Sequence, residues 1–372
     1  MQRQRAWKAI GAGFLVACVA AGLVAGIAGG LVRAGAVAAH ALPGRWVPQA
    51  VGGHAFLMIG GFLGSVVALE RAVAVKLRWA YAAPLLGGAA AALQLAGAAE
   101  AAAGAAVAAS AVFVAVGMRI FAREREPHTA SMLVGALAWL AGNASYAIGL
   151  DSAAVVPWWF AFLVLTIAGE RLELTRLMRR RAGASLALAI IVAALVVGAA
   201  LSAAWPGAGA VVYGAALVAL AAWLLAFDIA RRTVRAQGLG RYIAVCLLGG
   251  YLWLGVAGFA WISLAWSAAA RDAALHALAL GFVFAMIFAH APVIVPALTG
   301  VRLAFGLAYY LPLLALHASL ALRLAVAGSA PAGAAANAAA IGLFALTLAG
   351  SALAGQRHAA TAHRVPHASA HD

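Results

Sequence analysis

Four histidines, His54, His276, His317 and His290, stand inside apolar stretches of the chain and carry most of the chemistry that can be read from it. A neutral imidazole is a strong ligand for iron, copper or zinc, and two from facing helices can grip a haem on both axial sides. The plainer role for a buried histidine is to donate and accept one hydrogen bond inside a helix bundle. What decides between these roles is where the elements around each histidine place it.

Those elements are helices made for lipid. Of 372 residues, 66% are apolar and 9% charged, with 41 glycines, whereas soluble domains are nearer half apolar and a quarter charged. The expectation is an all-α polytopic membrane protein, one transmembrane domain over residues 1–355 and a His-rich disordered tail over 356–372. Apolar runs predict about twelve spans: 9–31, 51–75, 80–98, 101–121, 130–150, 157–174, 184–204, 208–227, 242–266, 273–298, 303–324 and 332–353. The formal charge of +15 is read as topology, not as affinity for nucleic acid. With both termini cytoplasmic, only Arg33, Arg45, Arg271 and Arg323 fall outside, leaving 21 of the 25 basic residues inside. The first run is about twice the length of a signal-peptide core, and Gly22, Gly26 and Gly30 within it suit close helix contact, so it reads as a span. No inverted repeat of the two halves is evident.

On this topology His54 and His276 both lie about one turn below the outer surface, on spans two and ten. His317, fourteen residues into the outward-running span eleven, falls in the outer half too. His290 follows His276 by fourteen residues, close to four α-helical turns, which puts it on the same face about 21 Å inward. There it suits metal ligation, gating or proton relay. An ionisable group at membrane depth needs a partner, a cavity or a cofactor, and Gly52, Gly53, Gly60, Gly61 and Gly281 leave room near His54 and His276 for a flat macrocycle. His40 and His128 are expected in solvated loops.

Toward the inner ends stand Glu70 with Arg71, and Glu170 with Arg171 and Glu173. They read as interfacial ion pairs, or as a proton path or propionate contact near the depth of His290. Pro292 and Pro296 should kink span ten. Asn143, Gln94 and Thr166 are candidates for interhelical hydrogen bonds. Cys18 and Cys246 lack any pairing pattern and read as small packing residues. His358, His363, His367 and His371 in the tail suit weak metal capture or plain disorder. No phosphate-binding loop, HExxH or GxSxG motif occurs, so hydrolase and nucleotide-driven classes have no local support.

Twelve inside-to-inside helices with histidines near the outer ends of the second and tenth resemble subunit I of the haem-copper oxidases. The resemblance stops short of the oxygen-reducing centre, because spans six and seven hold no histidine for copper. The stretches His54-Ala-Phe-Leu-Met-Ile-Gly-Gly-Phe and His276-Ala-Leu-Ala-Leu-Gly-Phe-Val, continuing to Thr299-Gly300, resemble the NnrS family of bacterial twelve-helix membrane proteins. That likeness implies a bacterial cytoplasmic-membrane location, haem with copper as a further metal, a link to redox or nitric-oxide stress, and His54 and His276 as cofactor ligands. A haem of b type is the leading expectation, with respiratory or denitrification components as partners beside the lipid bilayer. The alternatives are a proton- or small-solute-conducting transporter built on His290 and Glu70, and a non-catalytic assembly subunit of a respiratory complex.

Overall fold

The computed structural model describes residues 2–175, 183–326 and 328–362, and among these no β-strand occurs. Arg176, Arg179, Arg180 and Arg181, and the tail histidines His363, His367 and His371, lie outside the described residues.

Long helices occupy each of the apolar runs. They are α1 (Gln2–Arg33), α2 (47–75), α3 (Ala82–Leu95), α4 (Ala99–Arg123), α5 (Pro127–Ala147) and α6 (Ser152–Leu174). After the gap follow α7 (Ala184–Ala204), α8 (Pro206–Phe227), α9 (Gly238–Ser263), α10 (271–299), α11 (Tyr310–Ala325) and α12 (Ala330–Ala362). Among the described residues, ten helices are long and apolar enough to cross a membrane. The two outside that set are α3 and α5. The first has only 14 residues, although a 3-10 turn at Arg78–Tyr81 leads straight into it. The second is 21 residues long but carries His128, Thr129, Ser131 and Asn143 on its buried side, which lowers its hydropathy.

Position in the bundle follows from which faces are apolar and small. Helix α6 is the centre, with 78% of its span window buried, against 28% for α7 and 17% for α12. Its Phe162 stacks on Trp139 of α5 at 4.8 Å, and Phe113 of α4 meets both rings edge-on. Leu186, Ile190, Leu252, Phe259, Leu314 and Leu346 point outward, each more than half exposed, as suits contact with a bilayer.

Helices α8 and α9 come together at glycine. A Cβ on Gly214 would lie 2.5 Å from the carbonyl oxygen of Gly258 and 2.7 Å from the backbone nitrogen of Ile262. These are backbone atoms that cannot rotate away, so the contact depends on the missing side chain.

Two helices are not regular. Phe56–Gly64 in α2 and Ala277–Phe284 in α10 are π-helical, in segments of 9 and 8 residues. Bonding from i to i+5 widens the turn and shifts the phase of all that follows. The sequence expectation that His276 and His290 share one face assumes 3.6 residues per turn throughout, and the π segment between them removes that basis. Pro292 and Pro296 lie within the continuous helix Ala285–Thr299. The last helix runs on through Ala362, so the first residues of the segment expected to be disordered are helical.

Gly214→Ala should lower the stability of the bundle by about 1–3 kcal/mol through overpacking. Gly104→Ala, with nothing within 4 Å of its new Cβ, should leave the protein unchanged or slightly steadier. Apparent melting temperatures in one detergent, compared side by side, check both.

Candidate functional site

The small-residue stripe of α1 makes the place where His54 lies. Gly26 and Gly30 face α2, where a Cβ at Gly30 would come 2.7 Å from His54 Cε1 and one at Gly26 the same distance from Met58 Sδ. With those side chains absent, the His54 ring packs on α1 and its Nδ1 lies 2.7 Å from the Gly26 carbonyl oxygen. A carbonyl can only accept, so Nδ1 carries the proton and Nε2 keeps its lone pair.

His276 is held to the same tautomer by different means. Its Nδ1 lies 3.0 Å from the backbone oxygen and 2.9 Å from Oδ1 of Asp272, one turn earlier on α10. Arg323 of α11 in turn grips Asp272, donating from Nε to Oδ2 at 2.9 Å and from Nη2 to Oδ1 at 2.7 Å. His54 and His276 are within electrostatic reach of each other, and Arg33 and Arg323 bear on the same spot. Each of the two histidines heads a His-Ala pair, and eight residues on Phe62 and Phe284 stack across the interface at 6.3 Å. The two helices therefore meet at that level, eight residues after each histidine.

The remaining histidines divide. His317 lies two turns before Arg323 on α11, at a level close to His276. There Trp253 Nε1 donates to His317 Nδ1 at 2.8 Å, with the two rings nearly parallel. Its Nδ1 lone pair is thus used, the neutral ring keeps its proton on Nε2, and that buried Nε2 has no acceptor. In this arrangement His317 is a donor rather than a ligand. His290 Nδ1 lies 2.8 Å from the Met286 carbonyl, leaving Nε2 free in the ligand-competent form. His40 is exposed, but His128 is 5% exposed on the first turn of α5 with Nε2 3.7 Å from Glu124, so its expected loop position is corrected.

At the opposite end, charges that the sequence offers as topology markers are paired inside. Phe62-Leu63, Ala68 and Glu70-Arg71 recur in the same spacing as Phe162-Leu163, Ala168 and Glu170-Arg171. Arg71 of the first copy donates to Glu170 of the second at 2.6 Å, and Arg171 of the second makes a two-pronged, fully buried bond to Asp228 at 2.8 and 3.0 Å. Glu70 and Glu173 lie within electrostatic reach of that cluster. A small cavity beside it is lined by Arg71, Phe113, Thr129, Met132 and Thr166 among others, and both Arg71 Nε and Thr166 Oγ1 are buried without a partner. Asn143 bridges helices as expected, accepting from Trp159 Nε1 at 2.9 Å and donating to the Ala106 carbonyl at 3.0 Å.

Sequence reasoning missed Asp272, Arg323, Trp253 and Asp228. The repeated Glu-Arg pair was a readable signal for the inner cluster. For Asp272 the signal was its position four residues before His276, one helical turn. Among the described residues no group of three His, Cys, Asp or Glu side chains is placed to hold a metal ion.

The family described as a domain of unknown function, DUF8744, matches residues 12–353, and the chain belongs to it. No curated protein and no solved structure matches the chain.

Histidine-selective 15N solid-state NMR, assigned by subtraction of single His→Ala variants, should find His54, His276 and His290 protonated at Nδ1 and His317 at Nε2. Trp253→Phe should release His317 from that form.

Proposed function

We propose that this member of the DUF8744 family is a twelve-span membrane protein with both termini cytoplasmic that binds a b-type haem between His54 and His276 and serves redox or nitric-oxide metabolism in a bacterial cytoplasmic membrane. Helices α3 and α5 complete the twelve, and the even count keeps Arg33, Arg45, Arg271 and Arg323 on the opposite side from the other basic residues. The resemblance to NnrS proteins supports the same reading.

The observation that carries it is the shared state of the two imidazoles. Both are bonded through Nδ1 to a backbone oxygen, which leaves the Nε2 lone pair of each neutral ring free, and each stands eight residues before one of two rings that stack on each other, Phe62 and Phe284. An axial ligand needs its orientation and tautomer set in advance, which is what a bond from the other ring nitrogen supplies. Arg33, exposed and near the same place, brings positive charge where a carboxylate of a porphyrin would find a partner. When bound, the haem would supply one-electron chemistry and a site for diatomic gases, while the protein's part is to hold two nitrogens and exclude water.

The cavity at Arg71 and Thr166 favours a second reading, in which the Glu70 end admits protons from the cytoplasmic side. Unpartnered polar atoms around a small cavity suit a bound water, and Glu70, Glu170 and Glu173 gather beside it.

Protein purified after haem-replete expression should show a Soret band, and His54→Ala or His276→Ala should each abolish it. A colourless protein with full metal analysis would sink the haem reading. For the second reading, proteoliposomes should take up protons in a manner that Glu70→Gln and Thr166→Val reduce several-fold, with haem absent.

A further inference from the structure

We infer that Asp272, clamped by Arg323, is a positioning residue that makes His276 the stronger and His54 the weaker of two axial donors. The inference rests on the haem-binding reading above.

The two imidazoles share a tautomer and a kind of acceptor but not a charged neighbour. His54 Nδ1 is bonded to the neutral amide oxygen of Gly26, and His276 Nδ1 to the backbone oxygen of Asp272. His276 alone also has a carboxylate oxygen, Asp272 Oδ1, 2.9 Å from that nitrogen. Negative charge so close to the Nδ1 proton polarises the ring and leaves more electron density at Nε2, the atom that would face a metal. No comparable acid acts on His54, whose charged neighbours are His276, Arg33 and Arg323.

Asp272 would be a poor lever alone, since its side chain is 44% exposed and free to turn toward water. Arg323, only 9% exposed, takes both carboxylate oxygens and removes that freedom. The clamp comes from α11 and the carboxylate from α10, so the donor strength of His276 is set by the packing of those two helices. His54 is set by α1 alone, through the space that Gly26 and Gly30 leave.

Carbon monoxide is the probe, because it replaces the weaker axial ligand of a reduced haem and can then be removed by light. Resonance Raman spectra of the photolysed protein read the iron–histidine stretch of the ligand that stayed. The reduced wild type should bind carbon monoxide, and its photolysed form should show one iron–histidine stretch. Asp272→Asn should lower the frequency, Arg323→Gln should lower it less, and Asp272→Glu should restore it. Haem retention in Asp272→Asn should fall by about 10- to 100-fold. An unchanged stretch in a haem-loaded Asp272→Asn protein would overturn the inference, as would a bound haem that rejects carbon monoxide. A protein that never takes up haem overturns the reading beneath it, which the Soret band reports separately.

Discussion

A polar group buried among apolar helices has no water to turn to, so the bundle must provide its partner or leave it costly. That constraint accounts for where nearly every informative side chain of this chain ends up. Arg171 reaches Asp228, Arg71 reaches Glu170, Asp272 is shared by Arg323 and His276, and Asn143 joins three helices. Removing one member of a buried charged pair strands the other at a cost of about 3–5 kcal/mol, so such pairs bind the sequence positions of different helices to one another. The folded arrangement is correspondingly specific even though most of the surface is alanine, leucine and valine.

Much of this was legible beforehand, and the reason is physical. Hydrophobic length marks a helix wherever it lies, so all twelve apolar runs are helical, with ends shifted by up to nine residues. The positions of His54 and His276 near the starts of their helices could be counted from the same boundaries. Partner choice was hidden because it depends on which helices are neighbours. Arg323 looked like one of four outside charges that orient the chain, and only the packing of α11 on α10 turns it into the clamp on Asp272. His128 looked like a loop residue because Pro127 follows a charged stretch, yet Pro127 is the first residue of a helix, a position proline suits.

The π segments explain the one periodicity argument that did not carry over. Counting 3.6 residues per turn from His276 to His290 gives a shared face, and eight residues of wider turn lie between them. The chemistry of α10 is thereby split in two. His276 at the head of the segment is tied to Asp272 and through it to Arg323 of α11, while His290 below it is tied to the Met286 carbonyl of its own helix.

The same segments bear on how two histidines from distant parts of the chain are placed. A π turn gives up some of the regular packing of an α-helix and is uncommon for that reason, with a bias toward functional sites. Here two occur, each opening within two residues of a histidine, on helices whose Phe62 and Phe284 meet at the same distance from it. A local change of phase beside each histidine re-aims the side chains near it without moving the outward-facing apolar surface above or below it.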